Sequence, residues 1–134
     1  MTPLLDVHDL AKTFDVHQLG RRMIVFEYLS FKLLPGQFLL VTGANGMLGT
    51  DLVPVLRAQG HAVVALGRDR LDVTNGPQVH AVLAAERPQV VIHCAAYTNV
   101  DGAEADPDAA YALNRDGARH VAEACHAVGA AMAF

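Results

Sequence analysis

From Phe38 onward, short continuous apolar runs alternate with stretches in which apolar residues recur every three or four positions. That alternation is the pattern of parallel strands joined by crossover helices. The first run, Phe38 to Val41, is uninterrupted, as expected of a strand covered on both faces. Leu48, Leu52, Val53 and Leu56 then repeat at helical spacing, which predicts a helix from near Gly46 to just before Gly60. Pro54 should bend that helix or leave a carbonyl free. A second strand is predicted over His61 to Leu66, followed by a short extended piece, Leu71 to Val73. Asn75 is placed to cap the next helix, with Pro77 in its first turn, and that helix ends by Pro88. Gln89 to Ala95 reads as the third strand and Ala96 to Asp106 as a polar loop. Asp106 and Pro107 open a last helix through about Val128, stopped by Gly129, before a fourth strand over Ala130 to Phe134.

The first 37 residues follow another pattern. Val25, Phe26, Tyr28 and Phe31 favour extended backbone, so residues 1–37 are expected to form a β-hairpin-like extension and residues 38–134 an α/β unit of about four parallel strands with flanking helices. Composition narrows the setting: 52% apolar, 18% charged and a formal charge of −4 describe a globular chain without the basic surface of a nucleic-acid binder. No stretch approaches the roughly 18 apolar residues that span a bilayer, and Asp6, His8 and Asp9 interrupt the start, so neither membrane insertion nor secretion is expected. Cys94 and Cys125 lie in apolar stretches and read as reduced, packed thiols of a cytoplasmic protein. The seven histidines show no paired metal-ligand spacing. Asp101, Glu104, Asp106 and Asp108 form an acidic cluster, but two of them lie at a helix start, where carboxylates are expected for capping.

The most informative motif is Thr42-Gly43-Ala44-Asn45-Gly46-Met47-Leu48-Gly49, with glycines three apart between a buried strand and a helix. Gly43 permits a sharp turn, Gly46 lets backbone N–H groups approach a pyrophosphate, and Gly49 lets the helix pack close to the strand. The pyrophosphate would rest on the helix N-terminus, where unpaired donors and the macrodipole favour an anion. A partial Rossmann fold binding a nicotinamide dinucleotide is therefore expected. After the second strand, where a carboxylate would serve the ribose of NAD(H), the chain has Gly67 and then Arg68. A guanidinium there favours NADP(H) over NAD(H), because Arg makes charge-assisted contacts with a 2′-phosphate. Local pairing of Arg68 with Asp69 is the plainer alternative.

Residues 39–134, about 96 of the 134, resemble the N-terminal part of the dTDP-4-dehydrorhamnose reductases, extended short-chain dehydrogenases/reductases. The likeness rests on the glycine motif, on Leu71-Asp72-Val73-Thr74, on Val90 to Thr98 with its Cys-Ala-Ala-Tyr-Thr stretch, on Val100-Asp101 and Ala103-Glu104, and on Ala112-Leu113-Asn114. It implies a cofactor site of Gly43, Asn45, Gly46, Met47, Leu48, Gly49, Arg68, Asp72, Val73, Ala95, Ala96, Tyr97 and Asn114. In it Asp72 and Val73 would flank the adenine, Ala95 to Tyr97 would line the route to the nicotinamide ribose, and Asn114 would face the site in a structural role. The Ser or Thr after the fourth strand and the later Tyr-x-x-x-Lys of that family lie beyond Phe134, so no catalytic residue is assigned and the chain is expected to be inactive alone. A dTDP-sugar would be a partner only with the C-terminal half supplied. An exposed edge at the fourth strand would invite self-association.

Residues 1–46 resemble the start of ABC-transporter ATPase domains, with Phe14 as the adenine-stacking aromatic and Leu33 to Phe38 as the turn into the phosphate-loop strand. The likeness implies a fused leader, whereas a native extension would make a hairpin. Leu48, Gly49 and Thr50 stand where an ATPase needs Gly-Lys-Ser/Thr, so ATP hydrolysis is not expected. Tyr28 and Lys32 have the Tyr-x-x-x-Lys spacing, but on a strand they would be about 13 Å apart. A non-catalytic nucleotide-binding or interaction module is the alternative function.

Overall fold

Leu39, Leu40 and Val41 are fully buried, because the strand they form lies inside the sheet, with a neighbour on each side. The computed structural model describes residues 2, 5–16, 20–34 and 36–134, which divide into two units, Met1–Pro35 and Gly36–Phe134. In the first, β1 (Leu5–Val16) pairs antiparallel with β2 (Arg21–Leu33), from Leu5↔Leu33 to Val16↔Arg21. The register shifts between Val7 and Thr13, and Asp9 sits there with φ of 49°. Tyr28 and Lys32 both fall within β2, so their spacing is not that of one helical face.

The second unit is a Rossmann-type α/β layer. Its strands are β3 (Phe38–Thr42), β4 (Ala62–Leu66), β5 (Val90–His93) and β6 (Ala131–Ala133), all parallel, in the order β4-β3-β5-β6. Helix α1 (Met47–Ala58) runs through Pro54 unbroken, and the carbonyl that loses its helical donor is that of Thr50. Helix α2 (Gly76–Glu86) begins at Asn75, whose side chain accepts from the N–H of Gln78 at 3.1 Å, with Pro77 in the first turn as the sequence predicts. Leu40 and Val91 from the sheet, Val79 and Leu83 from α2, and Val121 from the last helix make one buried cluster. Each such side chain contributes about 1.5–3 kcal/mol by leaving water.

Two features depart from expectation. The polar loop after β5 contains a short helix, α3 (Val100–Ala105), capped by Asn99 through the N–H of Gly102 at 3.0 Å. The long helix expected from Pro107 is three pieces: α4 (Pro107–Tyr111), a π-helical stretch over Ala112–Gly117, and α5 (Ala118–Val128), which ends at Gly129 with φ of 73°. The short piece Leu71 to Val73 lies outside both sheets of the described residues. It is held by the Asp72 N–H donating to Oε1 of Gln78 at 3.2 Å and by the Val73 carbonyl 3.0 Å from Nδ1 of His120. The π stretch brings Gly117 against Val73, so closely that a Cβ on Gly117 would lie 2.9 Å from Cγ2 of Val73. At the sheet margin, Ala131 and Phe134 are exposed.

Candidate functional site

After β3 the chain crosses to β4 on one side and later returns to β5 on the other, so the point between β3 and β5 is where strand order reverses. In open α/β sheets the crevice at the carboxyl ends of such strands is the ligand site. A cleft of about 420 Å³ opens there. Its floor is the glycine turn. Gly43 has φ of 64°, and a Cβ on it would lie 2.5 Å from the Ala95 nitrogen. Gly49 is tighter still against its own loop, where a Cβ would meet the Gly43 oxygen at 2.5 Å and Cα of Ala44 at 2.6 Å. The turn is tied down by the Ala44 N–H donating to the Leu66 carbonyl at 3.1 Å and the Gly46 N–H donating to that of Gly43 at 2.9 Å.

Helix α1 starts at Gly46 with no side-chain cap and no acidic residue in its first turn. The N–H groups of Met47, Leu48 and Gly49 have no carbonyl partner within the helix by its geometry. Apart from its own chain neighbours, the only described contact within 4 Å of a Cβ placed on Gly46 is the Gly43 oxygen at 3.2 Å. An open helix mouth of unpaired donors fits an anionic group such as a pyrophosphate.

Nine of the thirteen sequence-derived residues line the cleft: Gly43, Asn45, Gly46, Arg68, Asp72, Val73, Ala95, Ala96 and Tyr97. Four do not. The side chains of Met47 and Leu48 are 81% and 62% exposed, because residues of a first helical turn radiate outward while their amides lie along the axis, so only their backbone belongs in the argument. Gly49 is buried beneath the turn. Asn114, on the π stretch, acts behind the wall: its Oδ1 accepts from the Tyr97 N–H at 2.7 Å and its Nδ2 donates to the Tyr97 carbonyl at 3.1 Å. Leu71, Cys94, Thr98, Asn99 and Leu113 also line the cleft and were not singled out. Each adjoins a residue or stretch that was, which is the signal that could have found them.

The electrostatics are mild. The Thr74 hydroxyl and then its N–H hold the Asp72 carboxyl below the usual range, with Arg68 adding a smaller effect in the same direction. Burial lowers the His93 imidazole and raises the Cys94 thiol; that of Cys125 is pushed up to about 11. Both cysteines are free and neither has thiolate character. Among the described residues no His, Cys, Asp or Glu grouping could hold a metal ion, and no helix is long and apolar enough to cross a membrane.

Residues 37–134 match the family described as the RmlD substrate binding domain. The chain belongs to this family. It is 55% identical over 93 residues to a dTDP-4-dehydrorhamnose reductase of Streptomyces griseus, covering 69% of this chain and 31% of that protein. A probable dTDP-4,6-dihydroxy-2-methyloxan-3-one 4-ketoreductase of Streptomyces antibioticus is 52% identical over 84 residues, covering 63% of this chain and 28% of that one. Among solved structures, the dTDP-4-dehydrorhamnose reductase of Bacillus anthracis in complex with NADP matches with a TM-score of 0.70 and 43% identity, over 72% of this chain and 35% of that chain. A Thermus thermophilus UDP-glucose 4-epimerase complexed with NAD matches with a TM-score of 0.65 and 29% identity, over 69% and 34%. The chain spans about a third of the length of these relatives.

One further resemblance gains no support. The likeness of residues 1–46 to an ATPase start is unsupported, and the strand and loop it shared, residues 39–46, fall inside the RmlD match. The physical reason is the one visible at Leu48, Gly49 and Thr50: without a lysine the loop has no cation for the terminal phosphates. The side chain of Phe14 lies outside the described residues.

Proposed function

We propose that residues 36–134 bind a nicotinamide dinucleotide, NADP(H) in preference to NAD(H), as the coenzyme-binding part of a dTDP-4-dehydrorhamnose reductase. One observation carries the reading: the bare glycine turn, the uncapped mouth of α1 and Arg68 border one cleft at the reversal point of the sheet. The first-turn amides would hold the pyrophosphate, Arg68 the 2′-phosphate, and Asp72 and Val73 the surroundings of the adenine. Ala95, Ala96 and Tyr97, kept in place by Asn114, would border the nicotinamide ribose. When bound, the nicotinamide supplies hydride, for transfer to the C4 ketone of a dTDP-sugar. That transfer is proposed only for these residues joined to a counterpart of the other two-thirds of the relatives, which would bring the sugar pocket and the Tyr-x-x-x-Lys. A cytoplasmic location accompanies this reading, where thiols such as Cys94 and Cys125 stay reduced. The exposed margin at β6 is where one copy would pair with another.

The test is calorimetric titration of the chain with NADPH and NADH, with Arg68→Ala beside it. Tighter binding of NADPH, and loss of that preference in Arg68→Ala, is expected. No complex with either coenzyme would defeat the reading.

A further inference from the structure

Gly67, buried where β4 ends, is the position at which an NAD-type site commonly carries its carboxylate. A Cβ at Gly67 would run into the Asn45 side chain and would lie 2.6 Å from Oδ1 of Asp69. Those two side chains are joined: Nδ2 of Asn45 donates to Oδ1 of Asp69 at 3.2 Å. The turn that allows this folds back on itself, with the Gly67 carbonyl accepting from the Arg70 N–H at 3.0 Å and the Leu71 N–H at 2.9 Å. Arg68 lines the cleft, whereas Asp69, next in the chain, does not.

We propose that the Asn45–Asp69 hydrogen bond, possible only over a bare Gly67, is a coenzyme-selectivity device that keeps Asp69 out of the cleft, so that Arg68 alone of this turn meets the ribose 2′ substituent. The argument rests on the coenzyme reading above. A carboxylate released beside Arg68 would repel a 2′-phosphate and compete for the guanidinium, and it could also accept a hydrogen bond from the 2′-OH of NADH. Asn45 is thus a positioning residue, tying the glycine turn to the turn after β4.

The experiment is a cycle of Asn45→Ala, Asp69→Ala and the double variant in the full chain, reading the ratio of the NADPH and NADH dissociation constants. The ratio cancels whatever Asn45 does for the pyrophosphate, which both coenzymes share. Asn45→Ala should lower the preference for NADPH about five- to tenfold, and adding Asp69→Ala should restore it. Gly67→Ala, which displaces the Asn45 side chain by bulk, should lower it as well. An unchanged ratio in Asn45→Ala overturns the proposal, as does a lowered ratio that persists in the double variant. Failure of the unaltered chain to bind either coenzyme would instead overturn the coenzyme reading beneath it.

Discussion

Asn114 holds the backbone of Tyr97 from both sides, its Oδ1 accepting from the N–H at 2.7 Å and its Nδ2 donating to the carbonyl at 3.1 Å. The contact joins the π stretch to the loop that leaves β5, across 17 positions of sequence. The widened turn of a π segment shifts the residues after it around the helix axis, and such segments recur at functional sites. Asn114→Ala should cost about 1–2 kcal/mol of unfolding free energy and weaken coenzyme binding several-fold by freeing the loop. Asn114→Asp keeps the acceptor and loses the donor, so it should fall between the two. Urea titration with coenzyme binding on the same variants checks this; equal binding by all three would detach Asn114 from the site.

Much of this arrangement was legible in residues whose local chemistry admits one answer. The apolar run ending at Val41, followed by glycines at 43, 46 and 49, specifies strand, turn and helix before any tertiary contact forms. Asn75 with Pro77, and Asp106 with Pro107, mark helix starts by the bonds they make and the N–H that proline lacks. Other features depend on distant partners or on a local cap within a polar loop. Leu71 and Val73 alternate as strand residues do and are buried, yet among the described residues no strand pairs with them, and Gln78 and His120 supply the bonds a ladder would have given. The π stretch forms where Gly117 meets Val73, a contact that periodicity along one helix cannot encode. Helix α3 was hidden because Ala96 to Asp106 reads as a polar loop, although Asn99 within it caps.

Gly49 tests the floor of the cleft. The three nearest atoms a Cβ there would strike are all backbone, the Gly43 oxygen at 2.5 Å and Ala44 Cα at 2.6 Å among them, so none of the three can rotate aside. Gly49→Ala should push α1 off the turn, costing about 2 kcal/mol or more, with binding lost beyond that stability loss. Gly60→Ala is the contrast: its φ of 86° strains an L-residue, but open space surrounds it, so stability should fall by about 1 kcal/mol with binding of the surviving folded fraction unaltered. Thermal melts and coenzyme titration separate the two.

Thr42 and His93 are opposed in the β3–β5 ladder, with the hydroxyl 2.7 Å from Nδ1, both buried. Burial lowers the His93 pKa from its ordinary 6.5, so the unfolded chain takes up a proton that the folded chain resists. Stability is therefore undiminished above the unfolded value and declines as pH falls below it, until the folded imidazole is charged as well. The urea midpoint should drop between pH 7.5 and 5, and His93→Leu should flatten that part of the profile. Thr42→Val leaves a buried nitrogen without its partner and should cost about 1–3 kcal/mol at neutral pH.

Thr74 holds the Asp72 carboxyl below its ordinary pKa. The carboxylate Oδ1 accepts from the Thr74 hydroxyl at 2.7 Å and from its N–H at 3.0 Å, and the hydroxyl is the larger cause of the lowered pKa. The sign is opposite to that of His93. A depressed carboxyl contributes stability that is present above the unfolded pKa and lost as pH falls through the folded one. Thr74→Ala should raise the Asp72 pKa and destabilise the fold by about 0.5–1 kcal/mol near neutrality, while Thr74→Ser should restore both. The gap between Thr74→Ala and the unaltered chain should close as acid protonates Asp72 in each. NMR titration of the Asp72 carboxyl carbon reads the shift directly, and identical curves for Thr74→Ala and the parent would show that the hydroxyl does not hold the charge.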